Sequence, residues 1–121
     1  MNILALDDEK DVKVLYEYFF ASEVDQGKIK LKVFHNPHEL LDFVSPSDEE
    51  TLLLTDMRMP SMSGVEVAEE LVKRLPNLRV FVISALGVNL TEEEKKKLRI
   101  ERVYTKPLNF TQLKDDVVEL I

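Results

Sequence analysis

Five short apolar runs punctuate the chain, and between them apolar residues return every three or four positions. The runs are Ile3-Leu4-Ala5-Leu6, Ile29 to Phe34, Thr51 to Thr55, Val80-Phe81-Val82-Ile83 and Val103-Tyr104-Thr105. They recur about every 20–30 residues, the spacing of βαβ units. Runs one, three and four are apolar at nearly every position, which predicts strands covered on both faces. Run two alternates Lys30, Leu31, Lys32, Val33, a pattern suited to an edge strand.

The intervening segments read as five helices. Val12, Leu15, Tyr16 and Phe19 fall at i, i+3, i+4 and i+7, one apolar stripe. Asn36-Pro37 is a helix start, with Asn as N-cap and Pro in the first turn. Leu40, Leu41, Phe43 and Val44 then face inward. Ala68, Leu71, Val72 and Leu75 form the third stripe, which Pro76 ends. Thr91 and Glu94 make a capping box for the fourth helix. That helix is mostly charged, with Leu98 as its main apolar anchor, and Glu92–Lys96 and Glu93–Lys97 are spaced for i,i+4 pairs. Such a helix is a solvated, weakly docked element. Asn109 caps the fifth helix, whose inner face is Phe110, Leu113, Val117 and Leu120.

This pattern predicts an α/β fold: one doubly wound, five-stranded parallel sheet over residues 1–121, flavodoxin-like (βα)5. The 121 residues, with 45% hydrophobic and 32% charged, suffice for a single core. A net charge of −7 argues against nucleic acid, whose phosphates need clustered cations, and against anionic membranes. No stretch approaches the roughly 20 apolar residues of a membrane span, and the N-terminus lacks the features of a signal peptide. The chain has no cysteine, so disulfides and zinc–thiolate sites are excluded, and a cytoplasmic location is expected.

Candidate chemistry gathers at the strand ends. Asp7 and Asp8 follow the first run, Asp56 closes the third, Ser84 and Ala85 follow the fourth, and Lys106-Pro107 follows the fifth. In a doubly wound sheet, ligands bind outside the carboxyl ends of the strands. Three carboxylates there repel one another unless a cation intervenes, and hard oxygen donors with room for water suit Mg²⁺. The plainer reading is that Asp7 and Asp8 cap the first helix. Lys106 reads as a salt-bridge partner of the acids, or as the partner of a phosphoryl oxygen carried by Asp56. Ser84 adds a hydroxyl, and the Ala85 backbone amide a further donor.

Leu6-Asp7-Asp8-Glu9, Leu54-Thr55-Asp56-Met57-Arg58-Met59-Pro60 with Gly64, Ser84-Ala85 and Thr105-Lys106-Pro107 together resemble the receiver domain of two-component response regulators (CheY-like). The resemblance spans essentially the whole chain and implies strand order 2-1-3-4-5. It implies Asp56 as phospho-acceptor, charged from a phosphohistidine on a sensor histidine kinase or histidine phosphotransfer protein. By the same resemblance, Asp8, Asp56 and the Arg58 backbone carbonyl ligate Mg²⁺ and Asp7 reaches it through water. Ser84 becomes the switch hydroxyl and Lys106 the family lysine. The output is a change in the surface of the fourth helix, fifth strand and fifth helix, read by a downstream protein or an attached output domain.

The family often places an aromatic residue three positions before its lysine, where this chain has Val103. Strand alternation sends Tyr104 to the opposite face. Signalling is therefore expected to rest on the loop after Ser84 and the polar fourth helix. Met57, Met59 and Met62 are read as exposed residues that cover the site or pack locally, and His35 and His38 carry no assigned role. The main rival is a small Mg²⁺-dependent phosphatase with an aspartyl nucleophile. It wants a second acid where Arg58 stands. A flavin module would need a phosphate cradle where Asp7, Asp8 and Glu9 stand. A scaffold unable to accept phosphate fits poorly with the intact acidic set.

Overall fold

A computed structural model describes residues 1–85 and 89–121. Strands β1 (Asn2–Leu6), β2 (Lys30–Phe34), β3 (Thr51–Asp56), β4 (Leu78–Ser84) and β5 (Ile100–Thr105) form one parallel sheet. Its order is β2-β1-β3-β4-β5, as the resemblance implied. Every residue of β3 is buried, as the unbroken apolar run requires of a central strand. The alternating β2 lies at an edge.

Side-chain alternation divides the core between the two faces. Leu4, Leu6, Leu53, Val80 and Val82 pack on one side with Leu40 of α3 (Pro37–Phe43), with Val67, Ala68 and Leu71 of α4 (Gly64–Arg74), and with Leu98 after α5 (Glu92–Lys97). Ile3, Ala5, Leu52, Leu54 and Phe81 pack on the other with Tyr16 of α1 (Val12–Phe19) and with Leu113 and Val117 of α6 (Phe110–Val118). The caps at Asn36, Thr91 and Asn109 form as expected, each side chain accepting a backbone N–H.

Four details differ from the sequence reading. First, a further short helix, α2 (Ala21–Asp25), follows α1, giving six helices among the described residues. It carries the chain on past Phe20, which is fully buried. The α1 stripe therefore centres on Tyr16 and Phe20, and Leu15 is left 42% exposed at its flank. Second, Phe43 is 55% exposed, because α3 ends there after seven residues. Its ring rests against Phe34 and beneath the Lys32 ammonium, 5.4 Å from each. Third, the ion pair on α5 joins Lys95 to Glu92 at i,i+3. Fourth, Met57, Met59 and Met62 are half-buried against the core rather than exposed, so they pack locally.

Candidate functional site

The register of the sheet brings the strand ends level. Leu6 lies beside Thr55, Asp56 beside Ile83, and Ser84 beside Thr105. Asp7, Asp56, Ser84 and Lys106 therefore emerge together on the carboxyl rim. One carboxylate oxygen from each of Asp7, Asp8 and Asp56 lies within 4.8 Å of the others. Asp7 and Asp56 are only 4% and 5% exposed, whereas Asp8 faces solvent.

Asp7 does not cap α1. That helix starts at Val12 with Asp11 before it, and Asp7 Oδ1 instead accepts the Glu9 N–H at 2.9 Å. The carboxylate is thereby held at the rim.

Lys106 spans the acids, its Nζ 2.7 Å from Asp56 Oδ2 and 3.7 Å from Asp7 Oδ2. The Lys106 backbone N–H donates to the Ser84 carbonyl at 2.8 Å, which ties the β5 end to the β4 end. The Arg58 N–H donates to Asp56 Oδ1 at 3.3 Å, while the Arg58 side chain is exposed. A cavity of about 250 Å³ opens here, lined by Asp8, Asp56, Arg58, Ser84, Ala85 and Lys106.

Burial pushes the Asp7 carboxyl above the ordinary carboxylate range. The Glu9 N–H and Lys106 offset this in part, and the charges of Asp56 and Glu9 add to it. Burial alone would lower the Lys106 ammonium. The bond to Asp56 and the charges of Asp7 and Asp56 outweigh it, so Lys106 stays protonated to higher pH than usual. The site is thus short of positive charge, with one ammonium facing three carboxylates. Hard oxygen donors in mutual repulsion fit a small divalent cation such as Mg²⁺.

Two supports were missed in the sequence. Ser63 accepts the Glu66 N–H, and Glu66 accepts the Ser63 N–H, a second capping box that starts α4. The Ser-x-x-Glu spacing was visible. Gly64, next along, lies so close under Asp56 that a Cβ there would overlap the Asp56 carbonyl oxygen. That carbonyl also accepts the Thr55 hydroxyl at 2.9 Å. His35, assigned no role from sequence, has Nδ1 2.9 Å from the Asp7 carbonyl oxygen. That contact crosses from β2 to β1, and no local pattern encodes it.

Val103 is 41% exposed. Tyr104 turns to the other face as alternation requires, packs 5.8 Å from Phe81, and donates its hydroxyl to Asp116 at 2.6 Å. The loop expected to move after Ser84 runs through 86–88, outside the described residues.

A family model described as the response regulator receiver domain matches residues 3–118. Sporulation initiation phosphotransferase F of Bacillus subtilis strain 168 is 28% identical over 116 residues, covering 96% of this chain and 90% of the relative. Among solved structures, response regulator TrrA of Thermotoga maritima, in complex with Mg²⁺–BeF, superposes with a TM-score of 0.73 at 24% identity, over 99% of this chain and 98% of that one. The receiver domain of Saccharomyces cerevisiae Ssk1, co-crystallised with the histidine phosphotransfer protein Ypd1, gives 0.76 at 18% identity over 98% and 87%.

Proposed function

The chain belongs to the response regulator receiver domain family, and from that membership we propose that Asp56 is the residue that carries the phosphoryl group. The protein is a phosphorylation-dependent switch of two-component signalling. The observation that carries the assignment is the Lys106–Asp56 contact of 2.7 Å inside a cluster of three carboxylates.

An Asp56 carboxylate oxygen attacks the phosphorus of a phosphohistidine. The new O–P bond forms as the N–P bond breaks, and the departing imidazole takes up a proton. The carboxylate is presented to the donor at the rim, with the Lys106 ammonium 2.7 Å from its Oδ2. Lys106 then turns its charge to a phosphoryl oxygen, and the Ser84 hydroxyl and Ala85 N–H donate to the others. Asp8, Asp56 and the Arg58 carbonyl would hold Mg²⁺, with Asp7 reaching it through water, and the bound ion would supply positive charge against the incoming group. The residues position and balance charge, so the chain promotes its own phosphorylation and turns over no external substrate.

The donor is a sensor histidine kinase or a histidine phosphotransfer protein, the kind of partner with which Ssk1 was crystallised. The α5–β5–α6 surface passes the signal to a downstream protein or an output domain. Residues 1–121 act as one receiver unit. No helix among the described residues is long and apolar enough to cross a membrane, and a cytoplasmic setting suits the acidic, cysteine-free chain. The net charge of −7 disfavours direct nucleic-acid contact.

The test is incubation with Mg²⁺ and a small phosphoramidate or acyl phosphate, followed by intact mass. One labile phosphoryl adduct is expected, absent in Asp56→Asn and without Mg²⁺. An equal adduct in Asp56→Asn would redirect the assignment.

A further inference from the structure

His35 stands just past β2 and is half-buried. Its Nδ1 lies 2.9 Å from the Asp7 carbonyl oxygen. A carbonyl can only accept, so Nδ1 carries the hydrogen. The neutral Nδ1–H ring and the imidazolium both supply it. The Asp7 N–H in turn donates to the Phe34 carbonyl at 3.1 Å. Two consecutive residues at one strand end thus hold both backbone polar groups of Asp7.

The bonded carbonyl is part of the peptide plane joining Asp7 to Asp8. Fixing that plane fixes the direction in which the Asp8 Cα leaves the buried strand. The Asp7 carboxylate is anchored separately, by the Glu9 N–H and Lys106. Asp8 is exposed, so its placement depends on the backbone that presents it. A metal site holds its ion tightly only when groups behind the ligands restrain them.

Resting on the reading of Asp7, Asp8 and Asp56 as a Mg²⁺ site, we propose that His35 is a positioning residue for that site, its imidazole N–H locking the Asp7–Asp8 peptide so that the Asp8 carboxylate is held towards the cation. A ring that merely fills space would affect stability alone. A ring that positions the ligands must also affect cation affinity.

Asparagine separates the two roles, because its amide nitrogen is bonded to Cγ just as Nδ1 is in histidine. Mg²⁺ binding to the full chain is measured by calorimetry for wild type, His35→Asn and His35→Phe, with thermal unfolding in EDTA to verify folding. His35→Phe keeps a ring without the donor and is expected to bind Mg²⁺ about 10-fold more weakly. His35→Asn is expected to stay within about threefold of wild type. Should the Phe variant not fold, His35→Ala removes the same donor without added bulk and is read in the same way. Wild-type affinity in the donor-less variant would overturn the proposal, as would a His35→Asn variant as weak as His35→Phe. Absence of Mg²⁺ binding by the wild type would instead overturn the metal-site reading, and this inference with it.

Discussion

Asp7 is where burial and charge oppose each other most. It is 4% exposed, sits beside Asp56, and holds its proton to higher pH folded than unfolded. Between those two values the folded state binds more protons. The metal-free protein therefore loses stability as pH rises from the ordinary carboxylate range through the folded Asp7 value, and keeps it below. Asp7→Asn preserves an oxygen for the Glu9 N–H while removing the charge. It is expected to unfold at higher urea at neutral pH in EDTA, by about 1 kcal/mol, and to flatten the pH dependence. Equal urea midpoints across pH for the two proteins would contradict this. Lys106 makes the converse case, since its loss leaves two buried carboxylates facing each other. Lys106→Met is expected to cost about 2 kcal/mol in EDTA, and Mg²⁺ should recover part of it. Measured stability equal to wild type would show that the ammonium is not balancing those acids. Gly64 has its place for a steric reason. Gly64→Ala must displace the Asp56 carbonyl, so a loss of about 1–3 kcal/mol is expected together with slower phosphorylation.

At the scale of elements, the junction of β3 and α4 bears directly on the site. The Ser63–Glu66 box fixes where α4 starts, and the Gly64 N–H donates to the Met57 carbonyl at 3.0 Å, just past Asp56. Ser63→Ala should cost about 1 kcal/mol in chemical unfolding, whereas an unchanged midpoint would mean the cap is idle. α5 is the opposite kind of element. It has no buried residue of its own and is moored by Leu98 immediately after it. Weakly moored helices open locally at low free energy. Hydrogen exchange over Glu92–Lys97 is therefore expected to change on phosphorylation while that of α1 stays constant. Identical α5 exchange in the two states would remove it from the switch. Tyr104 makes a rotating aromatic a poor alternative, because its hydroxyl is bonded to a buried Asp116 that also accepts from Gln112.

For the molecule as a whole, the sheet was legible because its signals are local. Continuous apolar runs mark β1, β3 and β4, alternation marks β2 as an edge, and Asn36, Thr91 and Asn109 cap their helices as their neighbours suggest. The rim acids and Lys106 were legible for a topological reason: a doubly wound fold places strand ends together. What sequence did not reveal depends on contacts between distant segments. Phe20 is buried only because α2 carries the chain onward, Phe43 is exposed only because α3 stops early, and His35 meets Asp7 only through the β1–β2 register. The same logic explains how a chain of net charge −7 concentrates acid at one buried rim: core packing holds the carboxylates there, and Lys106 offsets only part of their repulsion. The acyl phosphate is proposed to form on Asp56, beside Lys106. Borohydride reduction of the phosphorylated protein, followed by peptide mapping, converts the modified aspartate to homoserine and so locates it. Homoserine at position 56 alone is the predicted result; homoserine at Asp7, Asp8 or any other position, or none in protein that carries the adduct, would contradict it.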